Sequence, residues 1–182
     1  GGFKGRALRA GDILPTLSPG ERSFVKRRMA RGTPRPTYGH SHDLRVVMGP
    51  QESAFTAEAI STFLGATYTI SMDSDRMGYR LDGPAVEHAA AADIVSDGTP
   101  LGAVQVPGDE VPIILLADRG ITGGYAKIAT VIGTDTGKLG QAMPGETLTF
   151  RAVSVEEAHA ACKDQEEVLD AIAETGTAVE TL

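Results

Sequence analysis

Glycine and proline set the grain of this chain. The sequence has 22 glycines and 10 prolines among 182 residues, and from Leu44 to Val153 they cut it into short pieces. Glycine relaxes the backbone into turns and proline removes a donor, so neither sits well inside a long helix. Most of the intervening pieces are β-branched and alternating. "LRVVMGP" (44–50), "ATYTISMDS" (66–74), the "GYRL" of "DRMGYRLDGP" (75–84), "KIATVIG" (127–133) and "TLTFRAV" (147–153) each read as a strand bounded by turn residues. "SDGTPLGAVQVPGDEVPIILLAD" (96–118) reads as two strands joined by "PGDEVP". Many short strands with few helices favour a β-barrel or sandwich with helical lids over a βαβ fold.

Helices are few. "QESAFTAEAISTFLG" (51–65) has Phe55, Ala59, Ile60, Phe63 and Leu64 at helical spacing, with Ser53 as the expected cap and Gly65 as the stop. "AVEHAAAADI" (85–94) is a helical turn or a loop, and "GTDTGKLGQAMPGE" (133–146) a short helix and a turn. From Ser154 the chain reads as an acidic amphipathic helix, with Glu157 three residues on to complete a capping box.

Composition narrows the function. Apolar residues are 41% and charged residues 23% of the chain, enough for a real core, and the net charge is −7. An acidic chain without tryptophan and without a basic stripe is not expected to bind nucleic acid. No apolar run is long enough to span a membrane, so no membrane partner is expected. Cys162 is the single cysteine, which excludes a disulfide framework within the chain and suits a reducing, cytoplasmic setting. The basic residues concentrate in "ERSFVKRRMARGTPRPTYGHSHD" (21–43), a solvated connector or an arm for an anion or partner. The chain opens on "GGFKGRALRAGD" rather than Met and reads as a piece of a longer protein.

Several local patterns carry chemistry. "GTDTGKL" (133–139) resembles a phosphate loop, but its glycines are one residue too close and Leu139 stands where a magnesium-holding hydroxyl belongs. His40 and His42 have no third ligand at metal spacing, and no metal site is expected. Gln105, within a strand, is a satisfied structural amide or a ligand contact. Arg76 and Arg80, four apart in a strand-like segment, would share a face and could grip a carboxylate. "ILLADRGITGGYAKIATVIG" (113–132) places Asp118, Arg119, Thr122, Tyr125 and Lys127 between two apolar stretches. The expectation is a loop over Asp118–Tyr125 at a barrel mouth. One pocket would be lined by Gln105, Tyr125 and Lys127, with Thr122, Gly123 and Gly124 at its rim.

Five stretches occur together and in order: "RVVMGPQ", "DSDRMGYRLDGP", "IVSDGTPLGAVQVP", "VPIILLADRGITGGYAKIATVIGTD" and "GETLTFRAVSVEEA". They resemble the C-terminal half of the allophanate hydrolase subunit 2 family, also called the biotin-dependent carboxyltransferase-like family or the family of the 5-oxoprolinase C component. The resemblance implies a mainly β, cyclophilin-like closed β-barrel with flanking helices over 44–153. A linker and the remnant of a preceding domain would occupy 1–43, and an acidic helix 154–182. It implies a subunit 1 partner and a small amide or lactam substrate. ATP or carboxybiotin would act through partner subunits, with neither held tightly by this chain, and the isolated chain would be inactive. A regulatory binding module of the Kip type, which binds subunit 1 or a histidine kinase, is the alternative. The resemblance carries catalytic roles to Lys127 and Asp118, and substrate binding to Gln105, Arg76, Arg80, Thr122, Gly123, Gly124 and Tyr125. The family's loop usually reads Asp-Arg-Gln-Thr-Thr-Gly-Gly-Tyr-Pro-Lys. Here Gly120, Ile121 and Ala126 stand instead, and two polar side chains are lost from it.

Overall fold

The computed structural model describes residues 4–15 and 37–175, with side chains described as far as Ile172. The basic stretch over 21–36 and the last seven residues of the chain lie outside them. Nine strands and three α-helices are found among the described residues. Seven strands close into a barrel: β1 (Ser41–Met48), β2 (Thr67–Ile70), β3 (Gly78–Asp82), β5 (Ala103–Gln105), β6 (Ile113–Leu115), β8 (Lys127–Val131) and β9 (Thr147–Ala152). Around the wall the order is β1-β8-β5-β6-β3-β2-β9. Closure comes from the parallel pairing of β9 with β1, where Ser41–Val46 lie against Thr147–Ala152; the other neighbours are antiparallel. A closed wall leaves no barrel edge unpaired.

Alternation along the strands fills the interior. Leu44 and Val46 of β1, Tyr68 and Ile70 of β2, and Leu148 and Phe150 of β9 are buried, while their neighbours turn outward. Short central strands such as β5 are buried on both faces. Helix α1 (Ala57–Gly65) lies on β9 and buries Ala59 and Phe63. Phe63 stacks on Phe150 at 4.3 Å between ring centroids, with Tyr68 tilted beside both. The cap is Thr56, whose hydroxyl accepts from the Ala59 N–H at 3.0 Å, rather than Ser53. Glu52–Ala54 form a separate 3-10 turn, and Phe55 bridges to His88, so the α-helix starts later than the apolar spacing suggests.

Two departures from the sequence reading matter for the site. Asp93–Gly98 is a strand, β4, and Thr122–Tyr125 is a strand, β7; together they form a two-stranded ribbon outside the barrel. The segment 118–125 is therefore a loop only as far as Ile121. β4 has no alternating apolar face, since only Ile94 is half-buried, and its strand character comes from pairing with β7.

The phosphate-loop look-alike forms a 3-10 turn (Gly133–Asp135) and the short helix α2 (Thr136–Leu139). Asp135 is 1% exposed and receives both the Arg45 backbone N–H and a bidentate guanidinium grip at 2.7 and 3.0 Å. Burial pushes its carboxyl up, but the Arg45 bonds outweigh that and hold it below the usual carboxylate range. Lys138 donates to the Asp43 carbonyl at 2.6 Å and lies 3.3 Å from Asp135. These charges lock β1 to the end of β8. After β9, helix α3 (Val155–Thr175) starts on the expected capping box. Ser154 Oγ accepts from the Glu157 N–H at 3.1 Å, and Glu157 accepts from the Ser154 N–H at 2.7 Å.

Candidate functional site

A cavity of about 380 Å³ opens where the ends of β5 and β6 meet β3 and the turn ahead of it, under the segment that leads into β7. Gln105, Arg80, Arg119, Thr122, Asp73 and Asp75 supply its polar lining, and Ile113 and Leu115 its apolar floor. This mixture, a small apolar surface with a few convergent polar groups, is the ordinary make-up of a small-molecule site.

Gln105 is 6% exposed. Its Nε2 donates to the Tyr125 carbonyl at 3.3 Å, which ties the end of β5 to the ribbon. Gly123 makes this approach possible. A Cβ there would stand 2.7 Å from Gln105 Nε2 and 3.1 Å from Thr99 Cγ2, so a side chain would displace either the Gln105 amide or the ribbon. Gly123 thus serves close approach rather than a special backbone angle.

The segment between β6 and β7 is stapled at several points. Arg119 Nε donates to the Thr99 carbonyl at 2.7 Å and Nη1 to the Leu116 carbonyl at 3.2 Å. The buried Thr99 hydroxyl donates to the Gly120 carbonyl. Asp118 accepts a bidentate grip from Arg76 at 2.7 and 3.0 Å, and Arg76 holds its carboxyl below the usual range. This pair is exposed and lies away from the cavity, with Arg76 on the wall of a second one of about 340 Å³.

The expected common face of Arg76 and Arg80 is therefore corrected. β3 begins at Gly78, so Arg76 belongs to the turn and only Arg80 reaches the main cavity. The single pocket lined by Gln105, Tyr125 and Lys127 is corrected as well. Gln105 and Thr122 line the cavity; Tyr125 and Lys127 do not. Tyr125 offers its carbonyl to Gln105 and leaves its side chain partly exposed, and Gly124 lies against β4 near the Ile94 carbonyl. Lys127 stands directly opposite Gln105 in the β5–β8 pair, but its Nζ turns to Asp97 of β4 at 2.9 Å. The lysine is 2% exposed, and a buried ammonium needs such a partner. Lys127, the Gly98 N–H and Gln51 hold the Asp97 carboxyl below its usual range. Gln51 also accepts the Lys127 backbone N–H at 3.2 Å.

Asp97, Thr99 and Gln51 went unread in the sequence. The signal for Asp97 was indirect: a lysine at the start of a buried strand demands a carboxylate, and the polar "SDGT" run supplies one. His40 and His42, by contrast, do have a shared partner. Their Nδ1 and Nε2 atoms lie 2.6 and 2.9 Å from the two oxygens of Glu146, which also accepts the Met143 N–H. The His42 and His40 bonds, then that N–H, hold the Glu146 carboxyl down at about 2. Two histidines and one carboxylate here clamp β1 to the turn before β9.

The comparisons with known proteins agree with this fold. The family model for the carboxyltransferase domain, subdomain A and B, matches residues 1–152, and the chain belongs to that family. It is similar to the C component of 5-oxoprolinase from Haemophilus influenzae, 37% identical over 172 residues, covering 94% of this chain and 53% of the relative. It is likewise similar to the same component of 5-oxoprolinase from Escherichia coli strain K12, 34% identical over 173 residues, covering 95% and 54%. The chain thus spans about half the length of these curated relatives. Among solved structures, the Kluyveromyces lactis urea carboxylase superposes with a TM-score of 0.71 at 26% identity, over 82% of this chain and 14% of that one.

Proposed function

We propose that this chain supplies the small-amide site of a multi-subunit enzyme of the 5-oxoprolinase or urea carboxylase type. The observation that carries the reading is the cavity itself, in which a buried glutamine, Gln105, and an arginine, Arg80, line one small space. A primary amide can pair with both the N–H and the C=O of an amide or lactam. Arg80 binds a carboxylate by charge-assisted hydrogen bonds. In this reading the backbone N–H groups of the Gly120–Thr122 segment stabilise negative charge that develops on the reacting carbonyl. Lys127 acts through Asp97 in this reading, since their pair fixes the ribbon over Gln105. Arg76 and Asp118, tied to each other, shape the loop.

ATP or carboxybiotin reaches the reaction through partner subunits. The residues of 133–139 do not fit a phosphate cradle, because Lys138 is engaged with Asp43 and Asp135. Both 5-oxoprolinase relatives are named as one subunit of that enzyme, which supports assembly with further subunits, subunit 1 of the family pair among them.

The test is steady-state kinetics of the chain assembled with its partner subunits, on 5-oxoproline with ATP and on urea with carboxybiotin. Arg80→Gln should raise KM for the carboxylate-bearing lactam at least tenfold and leave assembly intact. Turnover of neither substrate by the wild-type assembly, with ligand binding retained, would replace the enzyme reading with a regulatory one.

A further inference from the structure

The cavity carries charges of both signs. Arg80 stands on β3, and Asp73 and Asp75 stand on the turn that leads into it. No ion pair joins either carboxylate to Arg80 among the described residues. The turn holds them in fixed relation. Ser71 donates its N–H to the Arg80 carbonyl at 2.9 Å, and the Arg80 N–H donates to Ser74 Oγ at 3.1 Å. Asp75 Oδ1 accepts the N–H groups of Met77 and Gly78 at 2.7 and 3.2 Å, and its second oxygen accepts no bond among the described residues. Arg119 also lines the space, but its Nε and Nη1 are engaged with backbone carbonyls.

A simple anion such as 5-oxoproline gains from Arg80 and loses part of that gain to the two carboxylates. A ligand with an ammonium beside its carboxylate uses both. From this arrangement, and resting on the reading of the cavity as an amide site, we infer that beyond the lactam anion it also takes a zwitterion, and holds it more tightly: an α-amino acid whose side chain ends in an amide. The carboxylate lies on Arg80, the ammonium on Asp75 with Asp73 beyond it, and the amide on Gln105. Charge-assisted hydrogen bonds to fixed partners carry the selectivity.

Calorimetric titration of the 182-residue chain tests this with two probes, L-glutamine and 4-carbamoylbutanoate. They share carbon skeleton, carboxylate and amide, and differ in the ammonium. Glutamine should bind at least tenfold more tightly. Asp75→Asn should bring glutamine to the affinity of 4-carbamoylbutanoate and leave the latter as tight or tighter. The asparagine Oδ1 can still accept the two turn N–H groups, so the turn persists. Arg80→Gln should weaken both probes. Equal affinities for the two probes, or glutamine binding unchanged in Asp75→Asn while Arg80→Gln weakens both, would overturn the zwitterion inference and leave the amide site standing. Binding of neither probe, or no effect of Arg80→Gln, would overturn both.

Discussion

Gly123→Ala is the sharpest probe of how the ribbon meets the barrel. Its backbone is outside the left-handed region, so alanine costs nothing in dihedral strain. The whole effect comes from one methyl group placed 2.7 Å from Gln105 Nε2 and 3.1 Å from Thr99 Cγ2. Withdrawal costs Gln105 its bond to the Tyr125 carbonyl, and Thr99 is held by its bond to the Gly120 carbonyl. Overpacking of this kind costs about 1–3 kcal/mol, and loss of the Gln105 bond adds about 1 kcal/mol. Gly124→Ala is the matched control, since a Cβ there meets nothing closer than 3.6 Å. Urea denaturation should lower the midpoint for Gly123→Ala by about 2–4 kcal/mol divided by the m-value, in line with those two terms. Gly124→Ala should stay within about 0.5 kcal/mol of the parent. Gln105→Ala in the Gly123→Ala background should recover part of the loss, a non-additivity expected only of residues in contact. Equal stability of the two alanine variants would refute the close approach of β7 to Gln105.

Lys127→Met keeps the buried stem and removes the ammonium; Asp97, more than half exposed, stays hydrated. Stability by denaturation should change by less than about 1.5 kcal/mol, while turnover of the assembled enzyme falls at least tenfold; full turnover would show the Lys127–Asp97 pair to be structural only. Glu146 is held at about 2 against an ordinary 4.5. A depressed carboxyl adds stability above its unfolded value and loses it as pH falls through the folded one, so the melting temperature should drop between pH 4.5 and 2. Glu146→Gln should flatten that limb, and an unchanged slope would remove the clamp from the account. Phe63→Ala empties the stack on Phe150 and should cost about 3–5 kcal/mol in the same denaturation assay.

The strands of the barrel were legible because they repeat one signal. Leu44, Val46, Tyr68, Ile70, Leu148 and Phe150 alternate with polar neighbours, and glycine or proline marks the turns between them. The capping box at Ser154 and Glu157 was equally plain, since both partners lie within one turn. What the sequence hid was non-local. β4 has no apolar face, and only its pairing with β7 makes it a strand. The partner of Lys127 lies thirty residues away on that ribbon. The spacing of Tyr125 and Lys127 suggested one face and a pocket shared with Gln105, whereas the long lysine side chain turns to Asp97. Arg76 and Arg80 differ for a simpler reason. An Asx turn at Asp75 delays the start of β3, and residues that would lie along one strand are divided between a turn and a strand.

The central claim, that Gln105 and Arg80 form one amide- and carboxylate-binding cavity, is tested most directly by nuclear magnetic resonance of the side-chain amide of Gln105 during titration with 5-oxoproline. A saturable shift of the Gln105 Nε2 resonances is expected, with the Thr122 amide moving in parallel, and its loss in Arg80→Gln. Saturable shifts confined to the residues around Thr136 and Leu139, with Gln105 unmoved, would place the ligand in the second cavity and contradict it.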